Sequence, residues 1–211
     1  EMAAVANATG LTPAPTGLAF PPCGVHDLPH VMRPRADGGH LHHKGQVEVI
    51  SSEERDGRHV SGDLRWGVYV VFEAATDYVR SCFMEYGLVT DDSGRYAALW
   101  KPYHLIGLEL GISVASAALR GEPTGQADGF RADAVATAKR DLKAGERLDG
   151  EGGYTVYGRL MPAADSLAVG ALPIGLAHNV TLKNAVPRDR PVTWADIGAD
   201  VETGDESQAV R

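Results

Sequence analysis

The stretch Ala138-Lys-Arg-Asp-Leu-Lys-Ala-Gly-Glu-Arg-Leu-Asp149 recurs, position for position in residue type, as Leu182-Lys-Asn-Ala-Val-Pro-Arg-Asp-Arg-Pro-Val-Thr193. The alignment pairs Lys139 with Lys183, Leu142 with Val186, Gly145 with Asp189 and Leu148 with Val192. Each copy predicts a short strand, a tight turn at a Gly or Asp that tolerates positive φ, and a second short strand. Two such copies predict a small, pseudo-symmetric, all-β module.

The residues before this repeat have a different pattern, in which strands and helices are mixed. Residues 46–50 and 64–72 alternate between apolar and polar, as half-buried strands do, and residues 96–100 predict a third short strand. Thr76 is suited to cap a helix with apolar residues at helical spacing, and Gly87 is suited to end it. These elements predict an α+β domain.

The segment 103–120 is apolar around most of a helical circumference and carries many small residues. Pro102 suits the first turn of such a helix. The apolar run 105–119 contains Glu109 and is shorter than the roughly 20 residues that a membrane span needs. We therefore expect a buried helix at the centre of the first domain, or a helix at a dimer contact.

A turn-rich linker at residues 121–129 separates the two patterns. The predicted organisation is an α+β domain at 1–128 with an oligomerisation role, an all-β domain at 129–201 and a polar tail at 202–211. At 211 residues, two domains of this size are the expected number.

The composition restricts the function classes. A net charge of −8 and a pI near 5.4 argue against nucleic-acid binding, which needs clustered Lys and Arg. Cys23 and Cys82 form no CxxC motif, so neither a disulfide framework nor a zinc site is indicated. These features predict a cytoplasmic protein without membrane or nucleic-acid partners.

Several motifs together indicate a resemblance to a known arrangement. The repeat, with Leu172-Pro-Ile-Gly-Leu-Ala and Pro191-Val-Thr-Trp-Ala-Asp, resembles a SAF-type β-clip domain. The stretch from Val5-Ala-Asn-Ala-Thr-Gly to Tyr96-Ala-Ala-Leu-Trp-Lys-Pro-Tyr-His-Leu-Ile-Gly-Leu-Glu-Leu-Gly resembles the catalytic domain of homoserine-dehydrogenase-like oxidoreductases with a C-terminal SAF domain. The DXR-like reductoisomerases are among them.

The resemblance implies that NAD(P)H is the cofactor and that a preceding Rossmann domain binds it. This chain has no strand–GxGxxG–helix unit of the kind that binds dinucleotides. Its first residues, Glu1-Met-Ala-Ala-Val-Ala-Asn-Ala-Thr-Gly, read as the interior of a fold rather than as a signal peptide. We therefore expect the C-terminal part of a longer enzyme, inactive without the Rossmann domain.

Four residues are candidates for catalysis. Hydride transfer needs a cation or hydrogen-bond donor for developing oxyanion character, and an acid or base for the hydroxyl proton. Lys101 and His104 lie at a strand-to-helix junction, where side chains project into clefts. Lys44 precedes a predicted strand, and Glu73 ends one. For each, a solvated surface residue is the alternative interpretation.

Three further residues are candidates for substrate binding. Asp77 can bind substrate hydroxyls, or it can stabilise the first turn of the helix by its favourable interaction with the helix dipole. Arg80 can bind a phosphate or pair with Asp77, and Asn7 can position a ligand or stabilise a turn. A histidine-rich loop containing His26, His30, His40, His42 and His43 has no recognisable metal-ligand spacing, so a divalent metal is not favoured.

The function predicted from these features is the catalytic and SAF-like part of an NAD(P)-dependent oxidoreductase, acting on a small polar oxo or hydroxy compound. A sugar phosphate, as in DXR-like reductoisomerases, is one such substrate. The alternative is a non-catalytic module in which the β-clip binds carbohydrate or mediates assembly. The long small-residue helix predicts a homo-oligomer in either case.

Overall fold

A computed structural model of the chain describes residues 1–198. These residues form two units. One comprises residues 18–128, and the other combines residues 1–17 with the chain from residue 129 onward. Residues 1–17, which the sequence analysis assigned to the first domain, are thus grouped with the chain from residue 129. The predicted tail 202–211 and the predicted domain end at 201 lie outside the described residues.

The 18–128 unit contains one antiparallel sheet and three helices. Strand β1 (Val68–Glu73) pairs with β3 (Tyr96–Lys101), which also pairs with the short β2 (Val89–Thr90). The register places Val68 opposite Lys101 and Glu73 opposite Tyr96. The core is built from apolar residues of the sheet and of the segment before it, namely Cys23, Val25, Leu28, Met32, Leu41, Leu64 and Ala98. The helices of this unit are α2 (Leu28–Val31), α3 (Asp77–Glu85) and α4 (Ile106–Ala115).

Helix α3 begins and ends as predicted. The Thr76 hydroxyl accepts a hydrogen bond from the Val79 N–H at 3.2 Å, which satisfies one of the free N–H groups of the first turn. Gly87 follows the helix with φ +70°.

The predicted strand at residues 46–50 was wrong. No ladder forms there, and Val47 and Glu48 are both buried, which is not the alternation of a half-buried strand. The Glu48 carboxylate accepts hydrogen bonds from the backbone N–H groups of Ala19 at 3.0 Å and Phe20 at 3.4 Å. The segment therefore serves as an anchor for the preceding loop and not as a sheet member.

The predicted helix at 103–120 forms in part. It begins at Ile106, so Pro102 lies before the helix and not in its first turn. The helix passes into a π-helical turn at Ser116–Arg120. None of its residues is buried. The prediction of a helix buried within the first domain is therefore wrong, whereas the alternative of a dimer contact stays a prediction.

The second unit starts with helix α1 (Met2–Thr9), which ends at Gly10 with φ +79°. Its strands form two antiparallel pairs, β4 (Ala132–Ala138) with β6 (Val156–Pro162), and β5 (Arg147–Asp149) with β7 (His178–Thr181). Helix α5 (Ala163–Val169) follows β6. Its core is aliphatic and includes Leu142, Leu148, Leu172, Leu182, Val186 and Val192. The mixture of helices and small sheets in the two units confirms the α+β class.

The predicted internal repeat has a structural counterpart in the backbone. Gly145 and Asp189, which the repeat aligns, both adopt left-handed conformations, with φ of +83° and +63°. The Gly145 N–H donates to the Leu182 carbonyl at 2.7 Å, and the Asp189 N–H donates to the Ala138 carbonyl at 2.9 Å. Since Leu182 and Ala138 are also aligned, the two hydrogen bonds are equivalents under one pseudo-two-fold rotation.

Candidate active site

A first cluster of polar side chains forms where β3 passes into α4. Lys101 ends the strand, and Glu109 lies in the first turn of the helix. The Glu109 carboxylate accepts a hydrogen bond from Lys101 Nζ through one oxygen and contacts His104 Nδ1 through the other. The backbone N–H of His104 donates to the Trp66 carbonyl at 2.6 Å, and this hydrogen bond fixes the backbone of the junction. We call Lys101, His104 and Glu109 the Lys101 cluster.

The electrostatics of the Lys101 cluster define what each group can do. The hydrogen bond from Lys101, and then that from His104, holds the pKa of Glu109 below its usual range. An ionised carboxylate only accepts hydrogen bonds, so Nδ1 of His104 carries the proton of that contact. In neutral His104, Nε2 is then the free acceptor, and it can take a proton from a substrate hydroxyl. Lys101 offers an ammonium donor beside it.

A second cluster surrounds Glu73 at the end of β1. Lys44 Nζ lies 2.5 Å from Glu73 Oε2, and Arg95 pairs with the other carboxylate oxygen. These cations, Lys44 first, hold the pKa of Glu73 below its usual range. We call Lys44, Glu73 and Arg95 the Glu73 cluster. It borders a cleft of about 140 Å³ whose walls are otherwise largely apolar, formed by Met32, Pro34, Leu41, Gly45, Val71, Phe72 and Tyr96.

The floor of this cleft is held by further polar contacts. The Tyr96 hydroxyl donates to Asp37 at 2.7 Å, and burial, followed by this hydrogen bond, raises the pKa of Tyr96 to about 12. Asp91 is buried and pairs with Arg33 at 2.8 Å. Its carboxylate also accepts from the Tyr96 N–H at 2.9 Å and from the Ser93 hydroxyl at 2.8 Å. Tyr96 is therefore uncharged at neutral pH, and Asp91 stabilises the turn before β3.

The structure divides the four predicted catalytic residues between the two clusters. Lys101 and His104, which the sequence analysis placed at one junction, lie together, and Lys44 contacts Glu73, a pairing that the sequence did not predict. The antiparallel register places Glu73 opposite Tyr96, at the other end of β3 from Lys101. The five residue steps from Tyr96 to Lys101 separate these ends by roughly 17 Å. The clusters cannot act on the same reacting atom of a small substrate.

The predicted substrate-binding residues lie elsewhere. Asp77 and Arg80 form an ion pair with each other at 3.4 Å on the exposed surface of α3. The Asn7 side chain, in the unit formed with residues from 129, accepts from the Arg131 N–H at 2.7 Å and the Ala132 N–H at 3.0 Å. Its amide group also donates to the Ala132 carbonyl at 3.1 Å. These contacts give Asn7 a structural role in joining α1 to β4.

The described residues offer neither a metal-binding cluster nor a membrane-spanning helix. Within residues 1–198, no three or more His, Cys, Asp and Glu side chains are grouped so that they could hold a metal ion. The histidine-rich loop is dispersed: His26 packs edge-on against Trp100, and His30 contacts Asp92 at 3.2 Å. No helix in the described part is long and apolar enough to cross a membrane.

Sequence reasoning missed two members of the clusters. Glu109 is a single carboxylate in an apolar run. Its place in the first turn of a helix, eight residues after Lys101, was the signal that could have indicated its contact with Lys101. Arg95 directly precedes β3, beside the strand residue that faces Glu73, and only the register of the sheet reveals this proximity.

Two family models match the chain. Residues 1–110 match the family model of the catalytic domain of oxidoreductase DRL, and residues 133–198 match that of the SAF domain. Both clusters lie within the first match or at its end. No curated protein matches the chain in sequence.

The class defined by these matches is an oxidoreductase catalytic domain joined to a SAF domain, which confirms the predicted oxidoreductase class and the predicted SAF module. The catalytic-domain model covers more than half of the 211 residues. The chain belongs to the oxidoreductase DRL family.

Proposed function

We propose that this chain is the catalytic and SAF-like part of an NAD(P)-dependent oxidoreductase that acts on a small polar oxo or hydroxy compound. Homoserine-dehydrogenase-like and DXR-like enzymes, the latter acting on a sugar phosphate, define the first substrates to test. The observation that carries the proposal is the double contact of Glu109 with Lys101 and His104.

The Lys101 cluster supplies two groups that such a reaction needs. Ionised Glu109 orients His104 so that Nε2 can exchange a proton with a substrate hydroxyl. The Lys101 ammonium can donate a hydrogen bond to the oxygen on which negative charge develops. Both side chains are about half exposed, with 51% and 53% of their surface accessible, so a substrate can reach them.

The described residues do not fit the role of a dinucleotide-binding domain. Their three sheets are all antiparallel, whereas a βαβ dinucleotide site needs parallel strands joined by a helix. The sequence has no GxGxxG motif after a strand either. In this proposal the cofactor is held by a Rossmann domain outside the described residues, and this chain handles the substrate and its proton.

The Glu73 cluster is a second candidate site in the 18–128 unit. Lys44 and Arg95 are balanced by Glu73 and by Asp37, which accepts a hydrogen bond from the Tyr96 hydroxyl at the same cleft. Lys44 and Glu73 both line this cleft, so they stay candidates for substrate binding. They are too far from Lys101 to share its proton transfer.

The test is NAD(P)H-linked turnover of the protein together with its dinucleotide-binding domain, measured on oxo acids, aldehydes and sugar phosphates. Lys101→Ala is expected to lower kcat by about 100-fold or more while the melting temperature stays unchanged. Lys183→Ala, which removes an exposed lysine of the other unit, is the matched control and is expected to have no effect.

Two results would contradict the proposal. Full turnover in Lys101→Ala would remove the proposed site. The absence of any NAD(P)H-linked turnover across these substrate classes would favour the carbohydrate-binding or assembly role of the β-clip instead.

A further inference from the structure

The two turns of the internal repeat in the second unit have equivalent backbones and different side chains. In the first copy, Glu146 pairs with Arg140 and accepts a hydrogen bond from the Lys143 N–H at 3.0 Å. The position aligned with Glu146 in the second copy is Arg190. The carboxylate that balances the first turn is therefore replaced by a cation in the second turn.

The second turn carries two exposed arginines around one carboxylate. Arg188 and Arg190 flank Asp189, and all three residues are exposed. The Arg188 Nε lies 3.5 Å from Asp189 Oδ2. The Arg190 side chain has no hydrogen bond or ion pair within residues 1–198. Since each guanidinium group holds five N–H donors, most of the donors of this turn have no acceptor in the chain.

Tyr157 and Arg159 on β6 extend this group of donors. The Tyr157 hydroxyl donates to Asp189 Oδ1 at 3.4 Å, and Arg159, two residues further along the strand, lies on the same face of the sheet. The Arg159 guanidinium donates to the Thr16 carbonyl at 3.4 Å. Burial, and then Asp189, raise the pKa of Tyr157, whereas Arg159 and Arg188 lower it, so both guanidinium groups lie near the phenol. We call Tyr157, Arg159, Arg188 and Arg190 the arginine cluster.

The contacts of the arginine cluster are long, so a better acceptor can replace them. Hydrogen bonds from N–H groups to oxygen are usually about 2.9–3.0 Å long. The contacts of Tyr157 and Arg159 measure 3.4 Å, and that of Arg188 measures 3.5 Å. An oxyanion accepts from guanidinium groups at about 2.7–2.9 Å. A bound oxyanion would therefore gain strong hydrogen bonds while the cluster gives up weak ones.

The charges of this surface favour an anion. Its carboxylates are Asp189 and Asp141, and Asp141 accepts a hydrogen bond from the Arg188 backbone N–H at 2.9 Å. Three arginines thus face two carboxylates, in a chain whose net charge is −8. A carboxylate ligand offers two oxygens, whereas the phosphate group of a monoester offers three and carries up to about two negative charges. Phosphate can therefore engage both guanidinium groups and the phenol together.

We propose that the arginine cluster binds a phosphate group, either as the free ion or at the end of a small phosphate monoester. Arg159 and Arg188 donate to the phosphate oxygens through their planar forks, the geometry that makes arginine suited to phosphate. The Tyr157 hydroxyl donates to a third oxygen, and Arg190 adds its charge from the same turn. This site belongs to the second unit and does not rest on the proposed function.

The first test is isothermal titration calorimetry of the 211-residue chain with glycerol 3-phosphate, inorganic phosphate, acetate and glycerol. One phosphate compound per chain should bind at about 1 mM or below, and acetate and glycerol should not bind. Tighter binding of glycerol 3-phosphate assigns a monoester as the source, tighter binding of inorganic phosphate assigns the free ion, and both results support the site. No binding of either up to about 10 mM, or equally tight binding of acetate, would overturn the proposal.

Substitutions in and beside the cluster should move the phosphate affinity in both directions. Arg159→Gln and Arg188→Gln should each weaken it about 10-fold or more, because each removes charge-assisted hydrogen bonds. Asp189→Asn should strengthen it about 3-fold, since it removes the competing carboxylate. Asparagine also tolerates the left-handed backbone at this position. A merely structural role of Asp189 predicts no gain, and unchanged affinity in both arginine variants would contradict the site.

A matched control is Arg147→Gln, which removes the same charge from an exposed arginine of β5 outside the cluster. It should bind phosphate as the wild type does. An equal loss in Arg147→Gln and Arg188→Gln would reduce the effect to general charge attraction and overturn the proposal. Lys101→Ala should keep the phosphate affinity. Loss of binding in Lys101→Ala would instead place the phosphate at the Lys101 cluster, which contradicts this site and leaves the proposed function intact.

Discussion

Leu142 and Val186 donate backbone hydrogen bonds to each other in both directions, at 2.9 and 3.0 Å. The internal repeat aligns these same two residues, at an offset of 44 positions. A residue that pairs with its own counterpart lies on the axis that relates the two copies. We call the unit that combines residues 1–17 with the chain from residue 129 the SAF unit. Its pseudo-two-fold axis therefore passes between Leu142 and Val186, which both belong to its buried core.

The left-handed turn at Gly145 should tolerate asparagine better than a branched residue. Gly145→Val is expected to destabilise the unit by about 1–2 kcal/mol, because a branched residue is strained at φ +83°. No atom lies within 4 Å of the added Cβ, so the cost comes from the backbone alone. Gly145→Asn should cost less than half as much, since Asn visits this region more readily. Urea unfolding measures both, and equal costs would contradict the backbone explanation.

Two buried threonines of the SAF unit should respond in opposite directions to the same change. Thr137 is fully buried on β4, and its hydroxyl has no hydrogen-bond partner among the described residues. Thr137→Val should raise the free energy of unfolding by about 1 kcal/mol, since it removes an unpaired buried hydroxyl. Thr155→Val should lower it by a similar or larger amount, because the Thr155 hydroxyl binds Asp149. Loss of stability in both variants would show that Thr137 has a partner.

Asp149 should make this unit sensitive to acid. Hydrogen bonds from the Thr155 hydroxyl and the Tyr154 N–H lower the pKa of Asp149 from 3.8 to about 2. A carboxyl whose pKa is lower in the folded state stabilises the protein above pH 3.8, and this contribution is lost as the pH falls towards 2. The difference in unfolding free energy between wild type and Asp149→Asn should therefore shrink from pH 5 to pH 2. A difference that stays constant would contradict this coupling.

Asn7 should matter for stability and not for chemistry. Asn7→Ala removes three hydrogen bonds to Arg131 and Ala132 and should lower the unfolding free energy by about 1–3 kcal/mol. Asn7→Asp keeps the acceptor and loses only the donor, so it should cost less. If Asn7→Ala instead raised KM at unchanged stability, the substrate-binding prediction would be favoured.

Substitution of Glu109 should lower kcat far more than substitution of Glu73. Glu109→Gln is expected to lower kcat by about 10- to 100-fold, because the neutral amide no longer fixes the proton on His104 Nδ1. Glu73→Gln should change kcat by only a few-fold and act mainly on KM, since it alters the charge beside the cleft. Steady-state kinetics of both variants decide between the clusters, and the reverse ranking would move the proton transfer to Glu73.

The correct parts of the sequence reasoning rest on local signals. Thr76 caps α3 because a hydroxyl can reach an N–H three residues on, and Gly145 and Asp189 mark turns because few residues accept positive φ. The segment at 46–50 failed because burial of Glu48 depends on distant N–H groups at Ala19 and Phe20. The apolar content of residues 103–120 favoured a buried helix, but no residue of α4 is buried in the described structure, because no other element of the unit packs over it.

The candidate site shows the same limit. Lys101 and His104 are close in sequence, and their proximity could be predicted. Pairing of Glu73 with Lys44 and Arg95 depends on the sheet register and on a loop, which no local pattern specifies. Asn7 was a ligand-binding candidate because the resemblance places it just after the cofactor domain, and its hydrogen bonds to Arg131 and Ala132 join residues too far apart in the chain for a local pattern to predict.

The attachment of residues 1–17 to the unit that begins at residue 129 has a consequence for how the chain folds. Asn7 and Ala132 are 125 residues apart, so the contacts between α1 and β4 have a high contact order. During synthesis, the first helix must wait until the whole intervening unit has left the ribosome before it can dock. The SAF unit is therefore completed after the 18–128 unit, although its helix α1 precedes that unit in the chain.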